Sequence, residues 1–194
     1  MTKSELYSAV RLYLNRPQMA DTDLDLYSES ARGFLNTTLK DHPRMIRTGY
    51  YTSPANQKLM PLPYDMLALH TIRRGTVLLR QFGAAATPSN ACQDEEGFIQ
   101  KGNCAELTSV PTEDTVYTIE YSQMIPRVTE ATNWLRDWFP NVLLYTMLKE
   151  ASVALKDREN GPVWAQHADQ AIASLMQQGW NQNIAAAPRV RYAR

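Results

Sequence analysis

Val116-Tyr-Thr-Ile-Glu-Tyr121 and Asn133-Trp-Leu-Arg-Asp-Trp-Phe-Pro-Asn-Val-Leu-Leu-Tyr-Thr-Met-Leu148 stand on either side of Pro126, and between them the apolar period changes. In the first stretch Val116, Thr118 and Glu120 alternate with Tyr117, Ile119 and Tyr121, the period of a half-buried strand. In the second, Trp134, Trp138, Val142, Tyr145, Leu148, Ala151 and Leu155 recur at helical spacing, with Asn133 placed to cap. Pro140 marks a helix start or a kink.

Toward the C-terminus, Asp157-Arg-Glu-Asn-Gly-Pro breaks the pattern, with Gly161 and Pro162 suited to a helix end followed by a new first turn. Trp164, Ala168, Ala171, Ile172 and Leu175 then line one face of a further helix, antiparallel to the last because the connection is short. Gly179 weakens this helix, and residues 184–194 read as an extended arm. Toward the N-terminus, Leu67–Arg73 and Thr76–Phe82 are strand candidates joined through Arg74-Gly75, and Gly102-Asn103 suggests a hairpin. Prolines at 54, 61 and 63 confine their stretches to edges or loops, and residues 83–97 are loop-like. Two helices open the chain. Ser4 is placed to cap the first, with Leu6, Ala9, Val10, Tyr13 and Leu14 in its stripe; Pro17 ends it. Leu24, Tyr27, Ala31, Phe34, Leu35 and Leu39 make the stripe of the second, which Pro43 stops. The expected fold is α+β: a mainly α-helical bundle of about four helices (1–47 and 127–183), an inserted small antiparallel β lobe (48–126) and the extended C-terminal arm (184–194).

The 194 residues carry 20 basic and 20 acidic side chains, and 44% are hydrophobic. Such a chain removes roughly 70% of its unfolded surface from water, enough for a sizeable core. Zero net charge argues against a general nucleic-acid binder. No apolar run reaches the roughly 20 residues of a membrane-spanning helix, and Met1-Thr-Lys-Ser-Glu-Leu-Tyr lacks a signal pattern; a soluble, unexported protein is expected. Cys92 and Cys104 have no Cys or His at metal-ligand spacing, and His42, His70 and His167 are scattered, so no metal is expected and the thiols are expected free.

Other chemical motifs fail on their own residues. Asp21-Thr-Asp-Leu-Asp opens like an EF-hand loop, but Leu26 and Arg32 occupy the positions that need Gly and Glu. No G-x-S-x-G elbow gives His70 or His167 a nucleophile, and no Gly-rich phosphate loop occurs. Asp94-Glu95-Glu96 reads as solvated charge. The expectation is no enzyme, no cofactor and no catalytic residue. Trp134, Trp138 and Trp164 read as core, whereas Trp180 is placed to anchor the arm. Within the arm, Arg189, Arg191 and Arg194 with Tyr192 have the chemistry of a segment that pairs with carboxylates and seats an aromatic.

Three stretches in order resemble the head-to-tail adaptor (connector) proteins of short-tailed bacteriophages. They are Tyr13-Leu-Asn-Arg-Pro with Asp23-Leu-Asp-Leu-Tyr-Ser-Glu-Ser-Ala-Arg-Gly-Phe-Leu-Asn36; Met60-Pro-Leu-Pro-Tyr-Asp-Met-Leu67; and Tyr117-Thr-Ile-Glu-Tyr-Ser-Gln-Met-Ile-Pro126 with Thr132-Asn-Trp-Leu135 and Pro140-Asn-Val-Leu-Leu-Tyr-Thr-Met-Leu-Lys-Glu-Ala151. The resemblance implies a virion structural protein assembled in the host cytoplasm. Its copies would form a twelve-fold ring beneath the portal protein, extending the DNA channel and presenting a docking surface for tail proteins. Genome DNA would pass without sequence-specific binding. The resemblance makes 184–194 a portal-binding arm, with Ile184, Pro188, Arg189, Arg191, Tyr192 and Arg194 at the contact. A tail-completion protein without direct portal contact is the alternative, and a monomeric host-directed regulator a more distant one.

Overall fold

The structure, a computed structural model, describes residues 1–83 and 96–186, and of residues 180–186 the backbone alone. It separates into two compact units, Met1–Arg44 with Ile125–Arg194, and Met45–Met124.

The first unit is helical: α1 (Lys3–Tyr13), α2 (Asp21–Thr38), α3 (Trp134–Trp138), α4 (Pro140–Ala154) and α5 (Gly161–Ala186). Thr2, rather than Ser4, caps α1; its hydroxyl accepts from the Glu5 N–H while the Glu5 carboxylate accepts from the Thr2 N–H, a capping box. Asn133 caps α3 through its side-chain oxygen, 2.9 Å from the Arg136 nitrogen, and Pro140 opens α4 at the position where a missing N–H costs nothing. Around α4 pack α1, α2, α3 and α5. Its buried residues, Val142, Leu143, Leu144, Thr146, Met147, Leu148, Ala151 and Ser152, accordingly extend well beyond one stripe. The two buried hydroxyls return their protons to the preceding turn, Thr146 to the Val142 carbonyl and Ser152 to that of Leu148.

The second unit holds two four-stranded sheets. With β1 (Ile46–Ser53), β2 (Leu59–Pro61), β3 (Met66–Arg74), β4 (Val77–Leu78), β5 (Arg80–Phe82), β6 (Gly97–Lys101), β7 (Cys104–Leu107) and β8 (Thr115–Gln123), the orders are β1-β8-β3-β4 and β2-β7-β6-β5. Ile72, Tyr117, Ile119 and Tyr121 of one sheet and Met60, Phe98, Ala105 and Leu107 of the other belong to one buried cluster, so the sheets share a core as a sandwich does. Gly75 and Gly102 make the two tight hairpins at φ +59° and +57°, values that L side chains rarely adopt.

The expectation of a mainly helical bundle with a small lobe is therefore corrected. Among the described residues the chain is α+β with five helices and eight strands in two sheets. Two features hid the second sheet. The stretch 76–82 is not one strand: it bends at Leu79, whose buried side chain enters the core, so that β4 stays with β3 while β5 joins the other sheet, parallel to β6. The proline-bearing stretch 59–61 is a real edge strand, pairing on one side with β7. Residues 184–186, expected in the arm, belong instead to α5, which continues past Gly179 to Ala186.

Candidate functional site

Of the residues expected to bind a partner, Trp180 and Ile184 lie on the backbone of α5, while Pro188, Arg189, Arg191, Tyr192 and Arg194 fall outside the described residues, as does Cys92. What the structure places is the seat of α5 just before them. His42, in the turn after α2, is only 2% exposed. Its Nδ1 accepts from the Arg44 backbone N–H at 3.2 Å, and its Nε2 lies 3.3 Å from the Leu175 carbonyl oxygen of α5. The imidazole stacks on Trp134 of α3, centroids 5.9 Å apart and planes 4° from parallel. Burial lowers its pKa; the bond to Leu175 raises it less, and the Arg44 charge lowers it further. Gly179 is the residue that lets α5 come so close: a Cβ there would stand 2.6 Å from Nε2 and 2.8 Å from Cδ2 of His42. The glycine that reads as a weak point in the helix is thus a point of close packing.

Beside this seat the surface is aromatic and basic. Trp138 is 70% exposed, against the expectation of core, because α3 ends there and turns its last side chain outward. The Arg44 guanidinium lies over Trp138 at 5.6 Å and over Phe139 at 5.3 Å. Trp138, Phe139 and Val142 on one side and Ala171, Leu175 and Gln178 on the other line a cleft along α5. A second aromatic group joins α1, α4 and α5: Tyr13 meets Trp164 edge-on at 5.6 Å, and Tyr145 stacks on the exposed His167 at 5.2 Å. Trp134 and Trp164 are half-buried.

On the outer face of the β1-β8-β3-β4 sheet, the register aligns Tyr50, Thr118, Arg73 and Leu78 in one row, with Val116 on the same face. Tyr50, Leu78 and Val116 are 77%, 55% and 53% exposed, an unusually apolar solvent face for a sheet covered on its other side.

Several of the residues singled out for chemistry make contacts within the fold. Asp21 pairs with Arg11, and Asp25 with Lys3 at 2.8 Å and the Tyr7 hydroxyl at 2.5 Å, so the calcium-like run is a charged helix start. The Lys3 ammonium, ahead of the Tyr7 bond, holds the Asp25 carboxyl below its usual range. His70 reaches the hydroxyl of Ser122, which is wholly buried, at 2.6 Å. Glu96 pairs with Arg74, and Cys104 opens β7.

Sequence reading gave His42 no part and took Gly179 only as a weak point in its helix. The available signal was local: a glycine within a helical stretch can mark a close packing contact.

No curated protein matches the chain. The family model described as SU10 adaptor protein matches residues 1–191, nearly the whole length and including all three stretches on which the resemblance to phage adaptors rests. On that match the chain belongs to the SU10 adaptor protein family and is a bacteriophage structural adaptor, a component of the virion.

Proposed function

We propose that this adaptor works at the head-to-tail junction as a closed ring beneath the portal protein, twelve-fold like the portal, where it extends the DNA channel and presents the surface on which tail proteins dock. The role is structural, with no catalysis and no cofactor. A closed ring is built from heterologous contacts, one face of each copy against a different face of the next, and two-unit subunits with exposed aromatic groups on each unit suit such contacts. Zero net charge suits a channel wall along which DNA slides.

The observation that carries the reading is the reach of the family match to Arg191, into the segment that follows α5 and bears Arg189 and Arg191. That segment, with Ile184, Pro188, Tyr192 and Arg194 and with Trp180 ahead of it, is the proposed portal contact: guanidiniums for carboxylates, the tyrosine as apolar anchor. Co-sedimentation with the portal ring of the same phage tests it. The full chain is expected to sediment at near one copy per portal subunit, and a chain stopped after Asn183 to remain in the supernatant. Sedimentation of both moves the contact to the body of the protein; sedimentation of neither defeats the portal reading and favours a tail-completion protein.

A further inference from the structure

The surroundings of His42 fix its protonation state. A carbonyl oxygen only accepts and a backbone N–H only donates. The ring that accepts from Arg44 at Nδ1 and faces the Leu175 oxygen with Nε2 is therefore neutral, its one proton on Nε2. Its own backbone N–H is held by the Leu39 carbonyl at 2.8 Å, one face is covered by Trp134, and the backbone of Gly179 closes on its Nε2 edge. The ring thus ties the turn after α2 to α5 at Leu175 and Gly179.

A second proton would undo this arrangement. It would sit on Nδ1 and point at the Arg44 N–H, donor against donor, in a cation stripped of water. Among the described residues, Arg44 is the charged group that acts on the ring. Lys40 and Asp41 on the same turn are exposed, and the neighbours from α5 and α3, Leu175, Gly179 and Trp134, carry no charge to compensate.

We propose that His42 is a pH-sensitive latch on the C-terminal half of α5: neutral, it clamps the helix at Leu175 and Gly179; protonated, it releases the turns from Gly179 to Ala186. The direction follows from linkage. A released ring takes up its proton near the ordinary 6.5 and the clamped ring only at lower pH, so acid favours release. The latch is fully effective above the released value and is lost as pH falls through the clamped one. One proton is involved, so the opening constant rises at most ~10-fold per pH unit. The inference needs only the helical unit and holds whichever partner the segment beyond α5 binds.

Hydrogen exchange on the full chain at about pH 7.5 and about pH 5.5, corrected for intrinsic rates, reads the latch directly. Protection of the 179–186 amides is expected to fall on the order of tenfold in acid while α4 amides keep theirs. His42→Gln, which retains a donor for the Leu175 oxygen and takes up no proton, is expected to show no such fall. Equal losses in both proteins, or none in the wild type, overturn the latch. If the variant does not fold, proton NMR of the wild-type histidines decides. The His42 ring must titrate below the ordinary value and in step with the loss of α5 protection; titration with α5 unmoved overturns the latch as well.

Discussion

At the scale of single residues, two helical glycines with opposite surroundings make a sharp comparison. Gly179 has no room for a methyl group, since the His42 ring is in the way, whereas around Gly33 in α2 nothing beyond its chain neighbours and the backbone of its own helix comes within 4 Å of the place its Cβ would take. Gly179→Ala is therefore expected to destabilise the protein by about 1–3 kcal/mol through overpacking. Gly33→Ala is expected to be stabilising, by up to ~1 kcal/mol, through helix propensity alone. Urea denaturation of both variants checks the pair, and equal effects would mean that the His42 contact carries no weight. From sequence both residues are simply glycines in helical stretches; the difference is made by a side chain 137 positions before Gly179. Trp138 is the reverse case. Its spacing fits the core stripe of α4, but α3 ends and α4 begins anew at Pro140, so the register that would bury it is broken between them.

Among the elements, those with a strong local signal were legible: α1, α2, α4 and α5 from their stripes, β8 from alternation, and β3 as the strand candidate Leu67–Arg73. The turn at Gly102-Asn103 followed from its glycine, and the connection read at Arg74-Gly75 proves to be a two-residue turn one position later, at Gly75-Thr76. What sequence alone did not reveal is the second sheet, whose strands are three to five residues long and whose existence depends on pairing between distant segments. Leu79 is the residue on which the change of sheet turns. Its N–H still donates to the Ile72 carbonyl at 2.9 Å, and one residue later the Arg80 N–H donates to the Glu96 carbonyl at 3.2 Å, in the other sheet. Leu79→Ala is expected to cost ~2–5 kcal/mol, the range for emptying a buried leucine site. A cost below ~1 kcal/mol in a denaturation series would show that the bend does not depend on its side chain.

For the molecule as a whole, the path of the chain through the sandwich unit makes a prediction about independence. The Gln123 N–H donates to the Met45 carbonyl at 2.8 Å, so the chain enters and leaves this unit at adjacent points, and both sheets bury their inner faces within it. Residues 45–124 expressed alone are expected to fold, with a β-type circular dichroism spectrum and one cooperative urea transition; a non-cooperative melt would contradict that. The helical unit, by contrast, is completed only when the chain returns at Ile125, whose N–H is held by the Asn36 side chain at 2.8 Å.

The central claim, that this adaptor joins head to tail, is tested most directly by electron cryomicroscopy of the neck of the intact particle. The account predicts a ring of copies directly beneath the portal, each with a helical and a sandwich unit, and with the segment after α5 lying on the portal surface. A neck in which this chain is absent, or in which it lies within the tail out of reach of the portal, would contradict it.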